Sequence, residues 1–563
     1  MVSVMTRSSR VFALLLLGIV ILFAALRRPM LDVPMERDEG EYAAIGLGML
    51  HGIPPYSEAY TMKLPGGALC YALIFQCLGT TPYAIHLALL LINAATIVLV
   101  ALVGRQLIGT QGGLFAGAAY GAFTIGTGMF GFWLSAEHFA ALFLMAGAWL
   151  MLMQTRNAEC GLRNNQTQNR AHQNKTSIHP SLFTLLGSFL LGCSMVIKHH
   201  AALPALAWLL AALWKYRTPT TLKSCFKITT AFSAFFAPVL ITMMLMASFG
   251  VWKNFRFWTW EYARQYAAAV PIHVGWEYFK IGGGTVFQDA PLLWILALLG
   301  FGWLFWNPAK IPSIQPARAW LLWVAPASAI AVSLGLMFRP QYFILLAPAA
   351  ALLAGTSWEV LRCWHPGKRW ACFNSPFLRH LPGTALAGAS FVVLCEPLMF
   401  GMYRTPAEVC RLIYGMNPFP EYSIIADYLR QHTCPDEKVA VIGSEPAIYF
   451  LADRRPATPY LCIYEAMKPH KHAAIMQKEV IHGLEQSRPR ALVFVEVPTS
   501  WGSVPQSNPM LLQWLKSFIP RHYRLDGVVD LISESRTVVQ WGDAARGYRP
   551  VSPHRVLVFL RKD

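Results

Sequence analysis

Long apolar runs recur from residue 11 to residue 402 of this 563-residue chain, and they constrain its fold more than any other feature. A hydrocarbon core of ~30 Å is crossed by about 20 apolar residues in a helix, and inside lipid the backbone must satisfy its own hydrogen bonds. Segments of suitable length and composition lie at 11–31, 83–104, 112–132, 138–154, 181–197, 200–214, 228–249, 291–306, 319–337, 341–357 and 384–402. The pattern predicts a polytopic α-helical membrane protein with about 11 transmembrane helices, of which 200–214 is short for a span. Residues 66–80 are apolar but too short to cross, and read as an interfacial or re-entrant helix. Only 13% of the residues are charged, against about 25% in soluble proteins, as fits a chain solvated largely by lipid.

The net charge of +18 does not mark a nucleic-acid partner, because the basic excess sits in short loops between apolar segments. With the N-terminus inside, the inner segments 1–10, 105–111, 155–180, 215–227, 307–318 and 358–383 hold 17 Lys plus Arg and two acids, Glu159 and Glu359. The outer segments 32–66, 132–137, 198–199, 250–290 and 338–340 hold ten acids and eight bases. This asymmetry orients the chain by the positive-inside rule. Arg27 and Arg28, near the outer end of the first segment, are expected to snorkel to headgroups. The first segment is read as a retained anchor rather than a cleaved signal peptide, although "FAALRR" has small residues near its end.

The 11 cysteines have no CxxC and no regular spacing, so neither a zinc site nor a disulfide framework is indicated; Cys410, Cys434 and Cys462 leave room for one disulfide. Residues 155–180, rich in Asn, Gln and Thr, read as a disordered inner loop whose Asn165 and Asn174 sequons carry no meaning in this orientation. Beyond about residue 403 charge rises and the long apolar runs stop. "KVAVIG", "RALVFVEV" and "RVLVFL" read as buried strands, with helical patterns near 421–432, 473–487 and 509–519. Two domains are therefore expected: a transmembrane domain at 1–402 and an extracytoplasmic α/β tail at 403–563.

Four of the six residues from Glu36 to Glu41 are acidic, directly after the first apolar segment. Burying an ionised group in lipid costs at least about 2.5–3.5 kcal/mol, so charge held against the bilayer usually serves a function. The candidates are Asp38, Glu39 and Glu41, then Lys63 at the end of the first outer loop, Glu137 and His138 at the second outer turn, Lys198, His199 and His200 at the third, and Arg339 and Tyr342 at the fifth. All map to one side of the membrane. A carboxylate can take the proton of an acceptor hydroxyl, and Lys or Arg can stabilise a departing phosphate. A donor whose leaving group is a phosphate on a long lipid would enter from the bilayer, which predicts sugar transfer from a polyprenyl-phosphate sugar.

Residues 37–66, with Asp38-Glu39, Tyr42, "GMLHGIPPY" and "KLPG", resemble the first outer loop of the GT-C superfamily of membrane glycosyltransferases. The nearest likeness is to bacterial relatives of the protein O-mannosyltransferases (glycosyltransferase family 39) and to lipid A aminoarabinose transferases. "GRQLIGTQGGLFAGAAYGAF" and "RPQYFILLAPAAALLAG" look similar to the same family, so the resemblance spans about residues 10–360. It implies an inner-membrane enzyme with its active site facing out. By motif position it implies Asp38 as the catalytic acid with Glu39 as companion, and Glu137 as an acid of the second loop. Glu137 stands where relatives have Asp; orienting Asp38, binding a metal ion and contacting the sugar all stay open to it. Lys63 of "K-x-P" would contact donor phosphate, with Lys198 and Arg339 as further cations, and Tyr42, Tyr56, His138 and Tyr342 would contact substrate. The implied partners are a polyprenyl-phosphate sugar, a glycan, lipid or protein acceptor, and membrane lipids. The residues leave the metal requirement open, including a divalent ion.

Each feature also has a plain structural reading. An acidic outer loop can be a solvated loop, Lys198-His199-His200 an interfacial anchor, and Arg339 a headgroup contact. His138 has no second ligand at helical spacing and reads as a hydrogen-bonding neighbour before a metal ligand. "GGG" at 282–284 lacks the Lys-Ser/Thr of a phosphate loop, and "IGSEP" in the tail has one glycine where a dinucleotide fingerprint has three. Residues 252–262 (WKNFRFWTWEY) read as an interfacial belt or amphipathic helix. A transporter or lipid-linked sugar flippase is the rival class, but transporters place charges near the midplane between repeats, and here they gather at one rim.

Overall fold

The computed structural model describes residues 7–167, 182–214, 222–305, 314–363 and 404–562. They belong to two compact units: Met1–Arg28, Leu87–Leu245 and Arg264–Phe400 form one, and Pro29–His86, Met246–Ala263 and Gly401–Asp563 form the other. In chain order the first nine helices are α1 (Arg7–Arg27), α2 (Arg37–Leu50), α3 (Pro65–Leu78), α4 (Pro82–Leu107), α5 (Thr110–Ile125), α6 (Ala136–Thr167), α7 (Leu182–Ile197), α8 (Ala202–Leu213) and α9 (Leu222–Ser248).

The first unit is helical. Among the described residues, five helices are long and apolar enough to cross a membrane: Arg7–Met30, Pro82–Leu107, Ala136–Gln154, Ser224–Ser248 and Gln315–Leu336. A sixth is possible if Ile272–Asp289 and Pro291–Trp303, bent by 99°, act as one broken span. The expected count of eleven is not reached among these residues. The 112–132 stretch is helical only to Ile125, because Gly126 leaves the helical region (φ −69°, ψ 160°) and a 3-10 turn, Thr127–Met129, follows. The 341–357 stretch enters as a 3-10 turn, Pro340–Leu345, before the helix Ala347–Cys363 begins. Segment 384–402 lies outside the described residues. Helix α6 continues to Thr167, so the opening of the expected disordered loop is helical, while Asn174 lies outside the described residues.

Two local features explain why these helices pack as they do. A Cβ on Gly113 of α5 would stand 2.4 Å from the backbone nitrogen of Arg105 and 2.7 Å from the carbonyl of Ala101 on α4, so the two backbones touch directly there. Small residues that admit such contact drive helix association where lipid supplies no hydrophobic force. Arg27 corrects the snorkelling expectation: it is buried and donates to the carbonyls of Gly131 (2.5 Å) and Thr124. Thr124 is in the last turn of α5, whose end exposes unpaired carbonyls and the negative pole of the helix, and a guanidinium satisfies both. Arg28 is exposed.

The second unit combines α2, α3, the loop between them, the helical stretch 252–262 and the tail. Tail helices Tyr422–His432, Ala473–Ser487 and Met510–His522 match the helical patterns of the sequence. Strands β1 (Val439–Ile442), β2 (Ala491–Glu496), β3 (Tyr523–Ser533), β4 (Arg536–Trp541) and β5 (Arg555–Arg561) form one sheet in the order β1-β2-β5-β3-β4. β1 and β2 are parallel and the other pairs antiparallel. The hairpin β3–β4 was not foreseen, because Asp526, Gly527 and Asp530 interrupt its apolar run. Asp530 is nonetheless buried, accepting from Tyr548 Oη (2.9 Å) and the amides of Val551 (2.7 Å) and Ser552 (3.2 Å). Cys410, Cys434 and Cys462 are all free thiols, so the tail disulfide left open by the sequence does not form.

Candidate active site

The acidic run after the first apolar segment builds a helix start. Glu36 is the N-cap of α2, and its carboxylate accepts from the Glu39 amide at 2.8 Å. The Glu39 carboxylate accepts from the Glu36 amide at 3.4 Å, completing a capping box. Asp38 and Glu39 lie in the first turn, where the helix macrodipole favours negative charge. Burial, and then the charges of Asp38 and Glu39, push the Glu36 carboxyl well above the usual carboxylate range. Glu39 is fully buried and reaches the Nε2 of His86 at 3.3 Å, while His86 Nδ1 meets the Leu31 carbonyl at 2.9 Å. Glu39 therefore supports α2 from beneath.

Asp38 points elsewhere. Its side chain is 42% exposed, and its Oδ1 accepts from Lys63 Nζ at 2.8 Å. The same ammonium lies 2.7 Å from Oε2 of Glu41, whose side chain is only 5% exposed. Lys63 also sits over the ring of Tyr42, 4.5 Å from its centroid, and Tyr42 stacks on Tyr71. Burial works against the charged lysine, but the facing Asp38 and Glu41 outweigh it and hold the Lys63 pKa well above its ordinary value. Asp38 and Lys63, 25 residues apart in sequence, are thus brought together with Glu41, which the sequence reading counted among the acids without a role.

Tyr56 takes a different place from the one expected. It is completely buried, with its ring edge-on to Phe255 at 5.4 Å and its hydroxyl donating to the Lys63 carbonyl at 2.7 Å. Its φ of 65° is in the left-handed region, rare for a bulky residue, and Asn254 Nδ2 secures its carbonyl at 3.0 Å. With no exposed atom, Tyr56 is a lock on the loop that delivers Lys63, and not a surface for substrate. That loop is fastened to the tail as well: the Tyr60 amide donates to the Pro459 carbonyl at 2.6 Å, and Glu58 pairs with Arg455.

The first unit holds a second cluster. Glu137, in the first turn of α6, is buried and its Oε1 lies 2.7 Å from Nζ of Lys198. Lys198 stands over the Tyr342 ring at 4.7 Å, and Tyr342 meets His200 edge-on at 4.8 Å. Exposed Arg339 precedes the 3-10 turn Pro340–Leu345 and accepts the Tyr342 amide on its carbonyl at 2.9 Å. His138 is fully buried, with Nδ1 at 3.1 Å from Ser135 Oγ, so it secures the turn before α6. Among the described residues no group of three or more His, Cys, Asp or Glu side chains is placed to hold a metal ion.

Sequence reasoning missed Arg37 and its partners in the tail. Arg37 Nε donates to the Ser444 carbonyl at 2.5 Å, and its Nη2 reaches Glu445 Oε1 at 2.9 Å and Asn417 Oδ1 at 3.3 Å. The available signal was "IGSEP", an acid just after a buried strand, which has meaning only once the strand end is seen beside α2.

No family model matches the chain, and no curated protein does. Solved structures are similar in fold. ArnT from Cupriavidus metallidurans bound to undecaprenyl phosphate superposes with a TM-score of 0.54 at 15% identity, over 97% of this chain and 97% of that one. The same protein in the apo state gives 0.56 at 14% identity, over 98% of each chain. The oligosaccharyltransferase AglB from Archaeoglobus fulgidus, in complex with an inhibitory peptide and a dolichol-phosphate, gives 0.49 at 12% identity, over 95% of this chain and 75% of that one. The likeness to ArnT runs along nearly the whole chain and agrees, at the level of fold alone, with the resemblance read from residues 37–66. A polytopic helical membrane protein with a small C-terminal sheet domain is the fold of this chain.

Proposed function

We propose that this protein is an integral membrane glycosyltransferase that moves a sugar from a polyprenyl-phosphate donor to an acceptor hydroxyl outside the cytoplasm, with inversion. The observation that carries the reading is the half-exposed Asp38 carboxylate, set on a capped helix start and paired to a nearly buried Lys63. A carboxylate in that position can accept the acceptor's proton as its oxygen attacks the anomeric carbon. The bond from that carbon to the phosphate oxygen breaks, and the phosphate leaves with the electron pair. Lys63 is the cation available to the leaving phosphate beside Asp38, and Lys198 and Arg339 are candidates for the same task. Glu137 sets Lys198, Tyr342 and Tyr42 present aromatic faces to these ammonium groups, and Glu39 holds α2 in place.

The lipid-linked donor is supported by the fold likeness to an ArnT that holds undecaprenyl phosphate. The proposed topology keeps the N-terminus cytoplasmic, with eleven spans in residues 1–402, and places 403–563 outside. A transporter or flippase is the second reading, and rim charges paired in place rather than lining a path count against it. The test compares purified wild type with Asp38→Asn, using radiolabelled polyprenyl-phosphate sugars and cell extract as acceptor. Transfer that the variant loses, with donor binding equal in both, establishes the enzyme and its base. Donor binding without transfer by the wild type points to a flippase, and neither binding nor transfer across the donor panel overturns the reading.

A further inference from the structure

The carboxyl ends of parallel strands in α/β sheets are where such domains usually hold ligands, because loop backbone and helix starts converge there. In the tail of this protein that place is occupied from within. The turn after β1, Gly443-Ser444-Glu445-Pro446, and the turn after β2 are tied together, with the Ser444 amide donating to Ser500 Oγ at 2.7 Å. Into this edge reaches Arg37, the residue directly before Asp38. It donates to the Ser444 carbonyl, pairs with buried Glu445 and meets Asn417, whose Oδ1 also accepts from Thr499 Oγ1 at 2.6 Å. Glu445 is held from its other side by the Tyr422 hydroxyl. The same turn fixes a second tail segment: Ser444 Oγ accepts the Tyr464 amide at 3.0 Å, and the Gly443 carbonyl accepts that of Ile463 at 3.1 Å.

A separate contact points the same way. A Cβ on Gly40, between Glu39 and Glu41, would fall 2.5 Å from the backbone nitrogen of Ala447, at the start of the tail helix Ala447–Ala452. The tail thus presses on α2 within one turn of Asp38, where only glycine fits, while Arg37 is gripped one residue before it.

We propose that Arg37 is a positioning residue: through Glu445 and the Ser444 carbonyl, the tail domain sets the aim of the Asp38 carboxylate. This rests on the transferase reading above. A guanidinium suits the task because its planar fork holds Nε toward the Ser444 carbonyl and Nη2 toward Glu445 and Asn417 in one fixed geometry, which the single nitrogen of a lysine does not reproduce. The tail is then part of the catalytic centre, acting on it through the second residue of the "ERDEGEY" run.

The test uses the full chain in nanodiscs, with Arg37→Met, Glu445→Gln and Arg37→Lys, and a synthetic undecaprenyl-phosphate sugar as probe. Turnover should fall at least tenfold in Arg37→Met and Glu445→Gln, with KM for the donor held within twofold. Arg37→Lys, which can restore the ion pair but not the carbonyl bond, should fall between them and wild type. The double variant Arg37→Met/Glu445→Gln should lose no more turnover than the worse single, because the pair acts as one unit. Amide hydrogen exchange over residues 38–46 should speed up in both singles. Wild-type turnover in Glu445→Gln with unchanged exchange would overturn the latch, and so would a loss that appears only in donor KM. No transfer by the wild type would overturn the proposed activity and Arg37's role in it, and the exchange arm would tell that failure from a missing latch.

Discussion

Lys63→Met removes the counter-charge of two carboxylates while keeping most of the side-chain stem. Asp38 is half in water and can stay ionised without its partner, but Glu41 is nearly buried and cannot do so cheaply. Stripping one partner from a buried ion pair costs about 3–5 kcal/mol. The carboxylate can escape by taking up a proton, at a cost fixed by the distance between the pH and an ordinary glutamate pKa. For a simple carboxylic acid that is about 3.7 kcal/mol at pH 7 and about 1 kcal/mol at pH 5. The lost contact with the Tyr42 face adds ~1 kcal/mol at either pH. Lys63 in the wild type is charged at both values: its folded pKa is raised, so its contribution is complete below the ordinary ~10.4 and is lost only as pH rises through the folded value. The variant's deficit should therefore be about 5 kcal/mol at pH 7 and about 2 kcal/mol at pH 5. Chemical unfolding in detergent at the two pH values reads it directly. Adding Glu41→Gln should return most of the stability at pH 7 without returning transfer. An equal deficit at both pH values, or a double variant as weak as the single, would refute the dependence of Glu41 on Lys63.

Glu36→Gln should be nearly neutral in thermal unfolding, because the amide oxygen can still accept from the Glu39 amide and a costly buried charge disappears, whereas Glu36→Ala should lose about 1 kcal/mol with the cap. Gly113→Ala should destabilise by about 1–3 kcal/mol, since its methyl would meet α4 backbone that cannot rotate away, and a lowered unfolding midpoint in detergent checks it.

How much of this was legible in the sequence divides along physical lines. Periodicity survives in sequence: β1, β2, β5 and the three main tail helices lie where their apolar patterns put them. The β3–β4 hairpin did not, because a strand with buried Asp530 in its interior keeps no apolar run, and its carboxylate is satisfied by the Tyr548 hydroxyl and by amides 21 and 22 residues away. Helix bounds diverge for another reason. Hydropathy measures the solvent around a segment and is blind to its backbone, so a break at Gly126 or a 3-10 entry at Pro340 leaves the apolar run intact while ending the helix.

The candidate site shows the same limit. Charge beside long apolar runs is conspicuous because burying it in lipid costs so much, which is why Asp38, Lys63, Glu137 and Lys198 stand out in the sequence. What the sequence could not say is which charges face each other. Pairing decides their roles: Lys63 is shared by Asp38 and Glu41, Glu39 is spent on a cap and on His86, and Tyr56 is consumed by the backbone of the loop it closes. Of the four acids in the opening run, only Asp38 keeps a side chain that is substantially exposed. The other three, together with Arg37 and its grip on the tail, account for why that one carboxylate can be held still in the first turn of α2.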